Sequence, residues 1–337
     1  MTRASFAFTA VLLFAASAAQ AETAVEAPKP PGYHVIKKLP VGEDGGWDYL
    51  SVDAEAKRIY ITRGNRIMVV ELETGKSIGT IEGINGAHGI ALVPELNRGF
   101  ATNGKDGNVS IVDLKTLKVT EQVKAGEKPD AIIYDPASKR VFCFNNDGTT
   151  ATAIDAATGK VAGTVELGGN PEFGVADGKG KIFVNLEDKS EVAVFDTTKL
   201  EVSAHWPLKP GETPTGLALD VEHHRLFSGC RGSKTMVVLD SESGKVIASL
   251  PIGAGVDATA FDPESACAFS SNGDGTLTVV HADDANTYRV AEIVQTQPGA
   301  RTMALEPKSH LIYLIAADQK SAREGAISGF TVYVVGK

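Results

Sequence analysis

Seven side chains recur at nearly equal intervals, and six of them ionise. They are Asp48, His88, Asp130, Glu172, Thr215, Asp257 and Arg301, separated by 40, 42, 42, 43, 42 and 44 residues. Imidazole and carboxylates are competent ligands for a divalent ion. Carboxylates gathered at one place raise one another's proton affinity, which is how an acid/base pair arises. His88, Asp130 and Glu172 are therefore the expected metal ligands, with Asp48 and Asp257 as the acid/base candidates. Asp48, His88, Asp130, Glu172, Asp257 and Arg301 together make the expected ligand-binding set. A plainer reading stands beside this one: each acid caps backbone amides or lines a wet channel.

Chemistry at these positions requires that the fold bring them together, and the spacing says how. Five residues after most of the seven comes a recurring acid, often followed by proline: Asp53, Asp135, Asp177, Asp220, Asp262 and Glu306, with Val93 as the exception. A second acid follows some twenty residues further on: Glu71, Asp113, Asp155, Asp196, Asp240 and Asp283. Three of these lead into a Thr/Ser-Gly-Lys turn, at Thr74-Gly75-Lys76, Thr158-Gly159-Lys160 and Ser243-Gly244-Lys245. Two independent marks in phase over seven copies define a repeat.

Each copy holds four short β-runs. In the third they are Ala131 to Tyr134, Arg140 to Phe144, Thr149 to Ile154 and Lys160 to Leu167. An Asp-Pro turn separates the first two, and the Asn145-Asn146-Asp147-Gly148 hairpin separates the next two. No amphipathic helix interrupts them. Four antiparallel strands per copy predict an all-β, seven-bladed β-propeller. A stacked solenoid would need polar capping repeats at its ends, and the sequence has none. The last copy is one strand short, and the segment Tyr33 to Val41 reads as a strand. The N-terminal strand is thus expected to join the C-terminal blade and close the ring, leaving no free sheet edge.

In that ring the seven positions encircle one mouth of the central channel. Closure puts Arg301 between Asp257 and Asp48, where charge pairing is the simplest role. The hairpins between second and third strands open on the same face and add Arg63, Arg66, Asn103, Lys105, Asn145, Glu187, Arg231 and Asn272. Trp47 stands beside the first ring position, either to stack on a ligand or to pack between blades. Cys230 ends a second strand near this mouth, but a nucleophilic Cys needs an adjacent base, and His88 is three blades away. An inert thiol is expected. Cys267 begins its strand at the opposite face, so a disulfide between the two is not expected. The histidines at 205, 223, 224, 281 and 310 fall on outer strands or turns. Residues 316–329 form the longest loop and are expected to extend over the mouth as a lid or partner contact, or as a solvated loop.

The second strands and their turns, Ile59-Tyr60-Ile61-Thr62-Arg63, Phe100-Ala101-Thr102-Asn103 and Val141-Phe142-Cys143-Phe144-Asn145, resemble the YVTN-type β-propeller repeat. So does the Gly-x-x-Pro lead-in at Gly126 to Pro129, Gly168 to Pro171 and Gly211 to Pro214. Over residues 33–337 the chain is similar to secreted YncE-like proteins. The resemblance implies the propeller fold. Related propellers include surface proteins, lactonase-like enzymes, lyases and haem-d1-type reductase domains, and no invariant catalytic residue carries over to a numbered position. None of the three cysteines (Cys143, Cys230, Cys267) lies in a haem-attachment motif, so no covalent haem is expected.

Residues 1–21 read as a secretory signal: Arg3, then an apolar run centred on Val11-Leu12-Leu13-Phe14, then the cleavage pattern Ala19-Gln20-Ala21. A membrane anchor is the alternative, for which the run is a little short. Residues 22–32 are a Pro-rich tether. A periplasmic or secreted protein follows as the expectation. The 337-residue chain carries a formal net charge of −9, which disfavours a nucleic-acid partner because phosphate binding needs a basic footprint. The leading expectation is a monomeric propeller binding a small ligand, cation or protein partner at its ionisable mouth. The alternatives are a metal-assisted lactonase, hydrolase or lyase using the same rim, and a protein-interaction scaffold using the blade edges.

Overall fold

The computed structural model of the chain describes residues 1–2, 29–42, 45–317 and 329–337. These form seven four-stranded antiparallel sheets, a seven-bladed β-propeller. The expected signal segment, most of the tether and residues 318–328 of the long loop lie outside the described residues. No helix among the described residues is long and apolar enough to cross a membrane.

The innermost strands are Leu50–Asp53, Ile90–Val93, Pro129–Asp135, Pro171–Ala176, Pro214–Asp220, Val256–Asp262 and Met303–Glu306. In the third blade the four strands run Pro129–Asp135, Arg140–Asn145, Thr150–Asp155 and Val161–Glu166, within two residues of the sequence reading. The outermost strand of blade 7 is the N-terminal His34–Gly42, paired antiparallel to the last strand Phe330–Gly336.

The two acids that mark the repeat are turn anchors. The Ala137 and Ser138 N–H groups donate to Asp135 at 3.2 and 3.1 Å, and those of Glu222 and His223 donate to Asp220 at 3.1 Å each. At the second mark, Lys115 and Thr116 N–H groups reach Asp113 at 3.0 and 2.7 Å, and Thr158 reaches Asp155 at 2.7 Å. A carboxylate that accepts two turn amides does the work of an Asx turn. These hydrogen bonds hold Asp113 and Asp155 below the usual carboxylate pKa. Where the first acid is missing, at Val93, a single 3-10 turn over Pro94–Leu96 reverses the chain instead, with Asn97 in the left-handed region at φ 53°. The sixth blade differs from the reading. Its outer hairpin is longer, Asp284 caps the turn by accepting from Asn286 N–H at 2.7 Å, and Asp283 pairs with Arg289 at 3.0 Å.

Between the blades lie seven apolar clusters among the described residues, each built from two neighbours. Phe142 and Phe144 of blade 3 pack with Ile182, Val184 and Phe195 of blade 4. Leu50, Ile61 and Met68 of blade 1 pack with Ile315 and Phe330 of blade 7, so the last blade meets the first. Burying each such side chain contributes about 1.5–3 kcal/mol, and no blade can do so without its neighbour.

The hairpin asparagines Asn103, Asn145 and Asn272 do not face the mouth. They are fully buried and tie their own hairpins together. Asn145 Nδ2 donates to Thr150 Oγ1 and Thr152 Oγ1, each at 3.0 Å, and Asn272 Nδ2 to Thr276 and Thr278 at 3.0 and 3.1 Å. The Gly-x-x-Pro lead-in has its reason here. A Cβ on Gly126 would stand 2.7 Å from the Asn145 amide, so only glycine lets the incoming chain cross it. Asn145→Ala removes both bonds and strands two threonine hydroxyls. Urea unfolding of this variant is expected to show a loss of about 1–3 kcal/mol; an unchanged midpoint would contradict the anchoring role.

Candidate functional site

How the inner strands begin decides where the ring residues point. Blades 3 to 6 carry a break in register, between Pro129 and Ile132, Pro171 and Gly174, Pro214 and Leu217, and Val256 and Ala258. Asp130, Glu172, Thr215 and Asp257 sit inside these irregularities. A β-bulge re-aims a side chain at a sheet rim, and here it lets the remaining strand stay small and apolar. In blades 1, 2 and 7, pairing starts only after Asp48, His88 and Arg301.

Three of the ring residues converge. His88 Nδ1 lies 2.8 Å from Asp48 Oδ2 and 3.6 Å from Asp130 Oδ1. One donor atom from each of Asp48, His88 and Asp130 lies within 4.8 Å of the other two. The hydrogen bond to Asp48 raises the His88 pKa against the opposing effect of burial. Burial lifts Asp130 to about 6, with His88 and Lys128 pulling it back and Asp48 adding to the rise.

Of the three residues expected to hold a metal, His88 and Asp130 come together, joined by Asp48, and Glu172 is not part of this group. Glu172 instead stands beside Glu187, a hairpin residue of the same blade. Burial pushes Glu172 far above the usual carboxylate range, and Asp130 and Glu187 add to it. These surroundings favour the protonated form of Glu172.

On the other arc Asp257 is clamped between two arginines. Arg231 Nη2 makes a short hydrogen bond to Asp257 Oδ1, and Arg301 Nε donates to Oδ2 at 2.7 Å. Burial raises the Asp257 pKa, and the two guanidinium groups oppose the rise. The expected pairing of Arg301 with Asp257 is present, but Asp48 on its other side turns to His88 instead. As acid/base candidates the two fare poorly, since Asp257 is held by two cations and Asp48 by the imidazole. Thr215 leaves the ring altogether. It is buried, with Oγ1 donating to Val256 O at 3.0 Å and within 3.2 Å of Gly229 O. Arg231, from the hairpin of the same blade, supplies the charge that Thr215 lacks.

Two aromatic residues that the sequence reading passed over form the floor. Tyr49 and Phe173 each follow a ring residue, and their rings stack with centroids 5.1 Å apart. They come from blades 1 and 4, so the stack crosses the channel. The Tyr49 hydroxyl donates to Asp257 O at 2.7 Å. Burial, and then the surrounding acids, raise its pKa well above that of a free phenol, which keeps it a neutral donor. Tyr49 and Phe173 also help line a central cavity of about 490 Å³, with wall residues from all seven inner strands, Leu50, Ile90, Ile132, Leu217 and Met303 among them. The available signal was position: each aromatic residue directly follows a ring residue, where the inner strand begins.

Arg63, Trp47 and Cys230 are packed into the fold. Arg63 is buried, its guanidinium 3.8 Å from the Phe330 ring centroid and its Nε donating to Gly46 O at 3.1 Å. Trp47 packs edge-on against Phe330 at 5.0 Å, between blades 1 and 7, and Arg301 lies 5.5 Å from its ring. Cys230 is fully buried, and burial pushes its thiol up to about 12. With Cys143 and Cys267 it is a free, buried cysteine.

No protein-family model matches this chain, and no curated protein matches it.

Tyr49→Phe keeps the stack and deletes one buried hydrogen bond. The expected cost is about 1 kcal/mol in denaturant unfolding, and a stability equal to the parent would show that the floor is not fastened through Asp257.

Proposed function

We propose that this chain is an exported propeller of the YVTN type that binds a small ligand at its ionisable mouth, through a divalent cation held by Asp48, His88 and Asp130. The observation that carries this reading is the approach of three donor atoms, from three successive blades, to within 4.8 Å of one another. A nitrogen and two carboxylate oxygens suit Zn²⁺, Mn²⁺ or Fe²⁺ better than a thiol-preferring ion. Three protein ligands leave coordination positions for the bound molecule, the arrangement of an open rather than a closed site. The mouth of the ring supplies the concave wall. Export rests on residues 1–21 and the family assignment on the second-strand motifs.

One feature favours a second reading, metal-assisted hydrolysis or elimination at the same rim. A cation would polarise a carbonyl or acidify a bound water, and burial pushes Glu172, a ring residue, well above the usual carboxylate range, towards a proton-donating form. In that reading Glu172 takes the acid role that Asp48 and Asp257 are too tightly paired to perform.

Calorimetric titration of the metal-free protein with Mn²⁺ and Zn²⁺ tests the site. One saturable site per chain is expected. His88→Ala should weaken it at least about tenfold, while Glu172→Gln should leave it within about threefold. An absence of saturable binding, or His88→Ala indistinguishable from the parent, would overturn the proposal.

A further inference from the structure

We propose that Arg301 is the anchoring residue for a carboxylate group on the ligand, so that the mouth selects small organic acids carrying a second oxygen donor for the cation. This deepens the cation-site reading and rests on it.

A guanidinium is planar. It offers two hydrogen-bonding edges, one through Nε and one terminal nitrogen, the other through both terminal nitrogens. In Arg301 Nε is committed to Asp257 Oδ2 at 2.7 Å, and among the described residues Nη1 and Nη2 have no hydrogen-bond partner. The side chain is nevertheless 39% exposed. It is held by Asp257 on one edge and stands 5.5 Å from the Trp47 ring, so the free edge is fixed as well as open. A fixed planar fork matches a planar carboxylate through two parallel N–H···O bonds.

Arg231, the other arginine of this arc, does not offer the same edge. Its Nε donates to Val256 O at 3.1 Å, its Nη2 is on Asp257, and its Nη1 faces Glu187 at 3.8 Å. Arg231 is thus flanked by two acids, Asp257 and Glu187, while Arg301 is paired with Asp257 through Nε alone among the described residues.

Position supplies the second donor requirement. Arg301 belongs to blade 7 and Asp48 to blade 1, and the link between these neighbours is short: Thr302 Oγ1 donates to Asp48 O at 2.9 Å. Arg301 therefore stands on the blade that borders the one carrying Asp48. Asp48 and Asp130 share this rim, and their field repels a free anion until a divalent cation offsets it. Carboxylate binding should thus depend on the cation. A molecule that places its carboxylate on Arg301 and a hydroxyl, keto or second carboxylate oxygen on the cation satisfies both.

The test uses malate as the probe, titrated by calorimetry into the mature chain with and without saturating Mn²⁺, with inorganic phosphate as the competing anion and butanediol as the uncharged control. Malate is expected to bind in the presence of Mn²⁺ and at least tenfold more weakly without it, butanediol not at all, and phosphate more weakly than malate. Arg301→Gln should lose at least tenfold in malate affinity while Mn²⁺ affinity stays within threefold. Arg301→Lys keeps the charge and the pair with Asp257 but loses the fork, and should fall between. Melting curves check that both variants are folded, and the lysine variant serves if glutamine is not tolerated. Equal malate affinity in parent and folded variants, or butanediol binding as well as malate, would overturn the assignment to Arg301. If Mn²⁺ does not bind, the cation site fails first. Malate binding that is still lost in Arg301→Gln then supports the arginine anchor, and no malate binding refutes it.

Discussion

Charges delivered to the end of a narrow channel cannot each be solvated alone. Seven inner strands converge on one small circle, and the side chains at their starts are half-buried or buried. An isolated carboxylate there must acquire a partner or a proton. The rim does both. Asp48 and Asp130 share an imidazole, Asp257 shares two arginines, and burial beside other acids pushes Glu172 towards its protonated form. The order around the ring, acids about a histidine on one arc and arginines about an acid on the other, is this constraint worked out residue by residue.

That order makes the mouth two-sided. One arc gathers two carboxylates about an imidazole; the other sets two guanidinium groups about a carboxylate. Below both, Tyr49 stacked on Phe173 gives a carbon-rich base fixed to the far arc by its hydroxyl. Whatever enters is met by charge at the sides and by an aromatic surface beneath. The floor also ties the arcs mechanically, since a ring from blade 1 hydrogen-bonds to the backbone of blade 6.

The architecture was nearly complete in the sequence because its marks are local. Asp135 and Asp155 must follow their strands at fixed distances to catch turn amides, so the repeat is written in their spacing. The membership of the site was less legible, because it depends on rotamers and register. The bulges at Asp130, Glu172, Thr215 and Asp257 obey one pattern, yet Thr215 turns inward to backbone carbonyls while its neighbours turn to the mouth. Glu172 and Asp48 are alike as residue types. Only the position of Glu187 in the adjacent hairpin, and the reach of His88 towards blade 1, decide which one joins the imidazole. Asn145 and its equivalents read as rim residues for the same reason. A hairpin that opens on the mouth face can still bury its first side chain under the next crossing chain.

Equal phase in successive blades brings Asp48, His88 and Asp130 together at the mouth, where we propose that they hold a cation. A crystal soaked in Mn²⁺ and measured at the manganese absorption edge tests it directly. The account predicts one strong anomalous peak, about 2.0–2.6 Å from donor atoms of Asp48, His88 and Asp130. Manganese found only at surface carboxylates, with the mouth lacking a peak, would contradict it.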